Sequence, residues 1–75
     1  MIYEFNFEDR DTAFIIFNKV RDEYRLKKEP YSSYVRLRTV DHTLLAFDSG
    51  REPVIRHANE CRAKYFLREF EDWNL

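Results

Sequence analysis

"YVRLRTVDHTLLAFDS", residues 34–49, sets two runs of β-branched, aromatic and aliphatic residues on either side of a polar break at Asp41 and His42. It reads as two strands of a hairpin, and the register of that hairpin decides which side chains share a face. A two-residue turn at Asp41 and His42 puts Val40 opposite Thr43, Arg38 opposite Leu45 and Arg36 opposite Phe47. A turn of three or five residues puts Arg36 opposite Asp48 and Arg38 opposite Ala46, and sends Val35, Leu37, Leu45 and Phe47 together into the core.

The first register makes an arginine and aromatic platform of the kind that stacks unpaired bases. The second makes cross-strand charge pairs, each contributing at most about 1 kcal/mol. Burying a Leu or Phe contributes about 1.5–3 kcal/mol, more than a surface ion pair, so the second register is expected. Neither turn carries the Gly or Asn that would fix its type.

Upstream, "IYEFNF" alternates strictly, with Tyr3, Phe5 and Phe7 on one side and Ile2, Glu4 and Asn6 on the other, as in a half-buried strand. "EDRDT" supplies an N-cap and early acids for a helix. From Thr12 to about Lys28, Ala13, Phe14, Phe17, Val20 and Tyr24 form one helical face, with Lys19, Asp22, Arg25, Ile15 and Leu26 away from it. Pro30 ends that helix. Downstream, "SGREP" stops the second hairpin strand, and Pro53 suits an early helical position. A second helix is then expected from Val54 to about Trp73, with Val54, Ala58, Cys61, Tyr65, Phe66 and Trp73 along one broad face.

The order βαββα predicts an α+β fold in which a three-stranded, antiparallel sheet of order 1-3-2 carries both helices on one face. Such a sheet is a ferredoxin-like layer lacking its last strand, by architectural analogy. The apolar run Leu44 to Phe47 supports a central third strand; the alternative places the second strand in the centre. In the expected order the first strand, Ile2 to Phe7, is an uncovered edge with few blunting devices, open to pairing with a second copy or another partner. A short edge whose tip frays is the competing reading.

Composition limits what such a domain can do. Seventy-five residues make a single domain with a small core. The chain still holds 44% hydrophobic residues, seven Phe, five Tyr and one Trp, enough apolar surface to fold without help. Thirteen basic against fourteen acidic residues give a net charge of −1, so nucleic acid or an anionic membrane could be held only by a local patch. The single cysteine, Cys61, rules out an internal disulfide and fits a reducing compartment. No signal-like segment opens the chain, and its longest apolar run, "AFIIF", is far too short to span a bilayer. A cytoplasmic protein is expected.

Two surfaces are candidates for binding. In the expected second helix, Leu67, Phe70 and Trp73 with Arg68, Glu71 and Asp72 offer apolar anchors inside a charged rim, which suits a protein partner. Scattered exposed apolar residues are the bland alternative. Glu69, Glu71 and Asp72 would also sit at the negative end of the helix dipole, a position that a basic partner would relieve. The second candidate is Tyr34, Arg36 and Arg38 on the sheet, with Lys27 and Lys28 as phosphate contacts, for single-stranded RNA or DNA. The aromatic signature of an RNA-recognition strand is missing from both hairpin strands.

Catalytic chemistry is not legible. His57 and Cys61 stand four apart, but no third ligand or orienting group is spaced to join them. Cys61 reads as a small buried hydrophobe and His42 as a solvated turn residue. No phosphate loop, nucleophile elbow or framed carboxylate pair appears. The expectation is therefore a protein without enzymatic activity, metal or cofactor that acts on a larger macromolecule through protein contact. Compact, Gly-poor chains without catalytic groups are the sort of accessory or inhibitor proteins that phages and mobile elements encode, and an origin of that kind is the associated expectation.

Overall fold

A computed structural model describes residues 1–27 and 33–71. The elements are β1 (Ile2–Phe7), α1 (Arg10–Lys27), β2 (Tyr34–Thr39), β3 (Leu44–Asp48), α2 (Arg51–Glu60) and β4 (Tyr65–Phe70). The sheet is four-stranded and mixed, in the order β3-β2-β1-β4. β1 runs parallel to β2 and antiparallel to β4, and β2 and β3 form an antiparallel hairpin. The fold is thus α+β, but the expected three-stranded order 1-3-2 is replaced by a sheet in which β2 lies between β1 and β3.

α1 makes the crossover that parallel strands require. Its start is built locally: Asp9 accepts the Asp11 amide at 3.0 Å and the Thr12 hydroxyl at 2.6 Å. Those two bonds, the Thr12 hydroxyl first, hold the Asp9 carboxyl below its ordinary pKa. Ala13, Ile16 and Val20 are the buried stripe of this helix. Ile16 thus replaces Phe14 and Phe17 at its centre; Phe14, Phe17 and Tyr24 are half-buried flanks, Phe17 meeting Phe47 edge-on at 4.9 Å. Ile15 and Leu26 are exposed, as the helical period requires.

Beneath the helices, one face of the sheet contributes Phe5, Phe7, Val35 and Leu37 to the same core as Ala13, Ile16 and Val20 of α1 and Val54 and Ala58 of α2. Tyr65 closes that core at the β4 side, its ring 5.7 Å from Phe5 and 5.8 Å from Phe7. Leu45 and Phe47 of β3 pack against it from the other side.

The hairpin register sends the arginines away from this core. Arg36 pairs with Ala46 and Arg38 with Leu44, two residues shifted from the expected Asp48 and Ala46 pairings but with the same faces. Val40, Asp41 and His42 make a three-residue loop, closed by Thr39 N–H to Thr43 C=O at 3.1 Å and His42 N–H to Thr39 C=O at 2.9 Å. His42 takes the left-handed conformation at φ 63° that such a loop needs.

The larger difference lies after α2. The helix spans Arg51–Glu60 and does not continue to Trp73. Arg62 turns left-handed at φ 53°. Its N–H bonds to the Asn59 carbonyl at 3.1 Å, and the Ala63 N–H to the Ala58 carbonyl at 2.9 Å. This is a Schellman stop carried by arginine in place of the usual glycine. The chain then re-enters the sheet as β4. Glu69, expected in the last turn of a helix, instead forms an ion pair from β4 with Arg51 at the start of α2. Neither Glu69 nor Glu71 lies at a helix end, and Pro30, Asp72 and Trp73 lie outside the described residues.

Two measurements follow from these turns. Asp41 accepts bonds from the Thr39 hydroxyl, from the Thr43 hydroxyl at 2.8 Å and from the Thr43 amide at 3.3 Å, which lower its pKa from 3.8 to about 2. A carboxylate stabilised in the folded state contributes stability above its unfolded pKa and loses it as the pH falls through the folded value. Urea unfolding from pH 4 to pH 2 should therefore show a shallower decline for Asp41→Asn than for the wild type. Arg62→Gly should raise stability by about 1 kcal/mol, because glycine carries no penalty in the left-handed region.

Candidate functional site

The face of the sheet turned away from the helices is built by strand alternation. β1 places Ile2, Glu4 and Asn6 there, β2 Tyr34, Arg36 and Arg38, β3 Leu44, Ala46 and Asp48, and β4 Phe66, Arg68 and Phe70. The registers align them in three rows across the strands. Phe70, Ile2, Tyr34 and Asp48 form the first, Arg68, Glu4, Arg36 and Ala46 the second, and Phe66, Asn6, Arg38 and Leu44 the third. No described helix covers this face, and Phe66 is 73% exposed there.

Glu4 is the electrostatic centre. Although on the open face, it is only 7% exposed, because the long side chains on neighbouring strands close over it. Arg68 and Arg36 are its cross-strand neighbours. Arg38 forms its ion pair at 3.7 Å, and Asn6 donates a hydrogen bond to it at 3.4 Å. The other two arginines lie over rings of their own strands, Arg36 over Tyr34 at 6.0 Å and Arg68 over Phe70 at 5.3 Å. Three arginines against Glu4 and Asp48 leave this face with a net charge of +1 on a chain of net −1.

The two sets of candidate residues read from the sequence meet here in part. Tyr34, Arg36 and Arg38 are joined by Arg68 and Phe70. Leu67 points to the opposite side and packs, half-buried, against the core, apart from Arg68 and Phe70. Glu71 is exposed just beyond β4. Phe66, expected on the core face of a helix, is the most exposed of the large apolar residues on the sheet. Once Tyr65–Phe70 is read with a period of two, "YFLREF" separates Phe66, Arg68 and Phe70 from Tyr65, Leu67 and Glu69.

Lys27 is engaged elsewhere, and Lys28 lies outside the described residues. Lys27 closes the α1 end by pairing with Glu23 at 3.2 Å. His57 of α2 meets the same carboxylate at 3.2 Å, and Arg56 also binds it. Burial works to raise the Glu23 pKa, but the bonds from Lys27, His57 and Arg56 outweigh it and hold the carboxyl below its ordinary value. His57 reaches Glu60 through its other ring nitrogen at 3.1 Å, so both nitrogens face carboxylates. Cys61 is the half-buried C-cap of α2. Among the described residues, no group of three or more His, Cys, Asp and Glu is placed to hold a metal ion, and no helix is long and apolar enough to cross a membrane.

Concavities offer less than the open face. A cleft of about 360 Å³ between the start of α1 and the end of α2 sets Glu8 and Asp9 against Arg62 and Lys64. A depression of about 460 Å³ beside Glu23, Leu26 and His57 is wide open.

Comparisons with protein-family models, with curated proteins and with solved structures returned no match.

The buried carboxylate makes Arg38 structurally distinct from its neighbour. Arg38→Ala should cost about 1–2 kcal/mol, because it leaves Glu4 closed over without its ion pair. Arg36→Ala should change stability by less than about 0.5 kcal/mol. Adding Glu4→Gln to Arg38→Ala should recover part of the loss in the same urea titration.

Proposed function

We propose that this chain is a non-enzymatic binding protein that lays its open sheet face against a protein partner. The observation that carries the reading is the composition of that face. Tyr34, Phe66, Phe70, Leu44 and three arginines share it, and no lysine stands on it. Aromatic residues and arginine are enriched at the centres of protein interfaces, whereas lysine is depleted. Arg36 and Arg68 already rest on aromatic rings, so binding orders them at reduced entropic cost. The partner surface that fits is apolar, with carboxylates positioned to meet Arg36 and Arg68. An accessory or inhibitory role in a cytoplasmic setting accords with this mode of action.

A second reading, single-stranded RNA or DNA on the same face, has the stacked pairs Arg36–Tyr34 and Arg68–Phe70 in its favour. The Glu4 carboxylate in the middle of the face and Asp48 on its rim oppose phosphate, and Lys27 is held by Glu23. The protein reading therefore stands first.

The test pairs a protein captured from the source cells with purified components. Tyr34→Ala combined with Arg36→Ala should weaken calorimetric binding of the purified captured protein at least tenfold, with the circular dichroism spectrum unchanged. Leu26→Ala, on the helical side, should leave binding as it is. Undiminished binding by the double variant would overturn the assignment of the face. Micromolar, salt-sensitive anisotropy changes with labelled single-stranded RNA or DNA pools would replace the protein partner with nucleic acid.

A further inference from the structure

β4 has one used edge and one free edge. β1 takes one side along the whole strand, with unbroken register from Tyr65 to Phe70, and no described strand lies on the other. Every second residue of an antiparallel edge strand presents its N–H and C=O outward, which makes the edge a template for another strand. Among the usual blunting devices, β4 has neither a proline nor a bulge, and its one cation is Arg68.

The side chains select one way of filling that edge. A second copy pairing antiparallel about a two-fold axis has four residue-centred registers near the strand centre, at Phe66, Leu67, Arg68 and Glu69. Centred on Arg68, the pairing opposes Arg68 to Arg68. Centred on Phe66, it opposes Lys64 to Arg68. Centred on Glu69, it opposes Glu69 to Glu69. All three set like charges directly across from one another, which is unfavourable.

Centred on Leu67, the pairing opposes Phe66 to Arg68 of the second copy, twice by symmetry, and Tyr65 to Glu69, also twice. Each Phe66 ring, now 73% exposed, gains a guanidinium across the interface. The charge gradient along the strand agrees: Arg62 and Lys64 lie at its start and Glu69 and Glu71 at its end, so antiparallel alignment brings basic end to acidic end. β3, the other edge, has no such match, because pairing about Ala46 opposes Leu44 to Asp48.

We propose that two copies of this chain associate through β4, antiparallel and centred on Leu67, to form a continuous eight-stranded sheet. The dimer does not depend on what binds the open face, but it would double that face. Four strands about 4.8 Å apart and about 20 Å long present a plan area of roughly 400 Å². A standard protein interface takes about 800 Å² from each partner. Two faces side by side reach that size.

Sedimentation equilibrium of the full chain from micromolar to millimolar concentration tests the pairing. Expected is a reversible dimer whose dissociation constant rises at least tenfold in Phe66→Arg, which sets the introduced guanidinium against Arg68 of the second copy. The exchange variant, Phe66→Arg with Arg68→Phe, restores the opposition of ring and guanidinium and should return to within about threefold of the wild type. Circular dichroism of each variant guards against misfolding, since both positions are exposed. A wild-type chain that stays monomeric throughout, a dimer indifferent to Phe66→Arg, or an exchange variant that fails to recover while folded would overturn the proposal.

Discussion

The two-sided pairing of β1 is the constraint on which the other features depend. β1 holds β2 parallel on one side and β4 antiparallel on the other, so it serves as the spine of the sheet. Parallel pairing to β2 obliges α1 to cross over one face, and α2 joins it there around Phe5, Phe7, Val35 and Leu37. With both helices on that face, no described helix covers the opposite one. Strand alternation then dictates its content, since placing Tyr3, Phe5 and Phe7 inward necessarily places Ile2, Glu4 and Asn6 outward.

Glu4 shows how the spine shapes the chemistry. A carboxylate on a sheet surface would ordinarily be solvated, but in a central strand its neighbours are long side chains on both sides. Arg36 and Arg68 flank it and Arg38 pairs with it. The arginines are therefore organised around one buried negative charge and two aromatic rings. Glu4 thereby neutralises part of the positive charge that the three arginines bring to this face.

β1, the existence and order of the elements through Asp48, and the outward direction of Arg36 and Arg38 were legible in the sequence, because each rests on a period of two or of 3.6 and on the cost of exposing Leu45 and Phe47; the face of α1 was legible only in part, since Ile16 and not Phe14 or Phe17 is buried at its centre. The strand order and the last strand were not. The run Leu44 to Phe47 resembles a central strand, yet β3 is an edge that exposes Leu44. The stop after α2 had no glycine to announce it: Arg62 adopts the left-handed turn, and the apolar residues Cys61, Tyr65 and Phe66 continue a helical spacing by coincidence. Missing that stop concealed β4 and made β1 look like an edge. It also split the residues of the open face into two sets, with Arg68 and Phe70 assigned to a helix and Tyr34, Arg36 and Arg38 to the sheet.

Nuclear Overhauser contacts in the labelled protein can show whether Tyr65–Phe70 is a strand lying beside β1. Expected are cross-strand backbone contacts between Glu4 and Arg68 and between Phe5 and Leu67, with strong sequential contacts of extended chain through residues 65–70. Amide-to-amide contacts running helically from Arg62 through Phe70, with none to β1, would contradict that pairing and remove β4 from the open face.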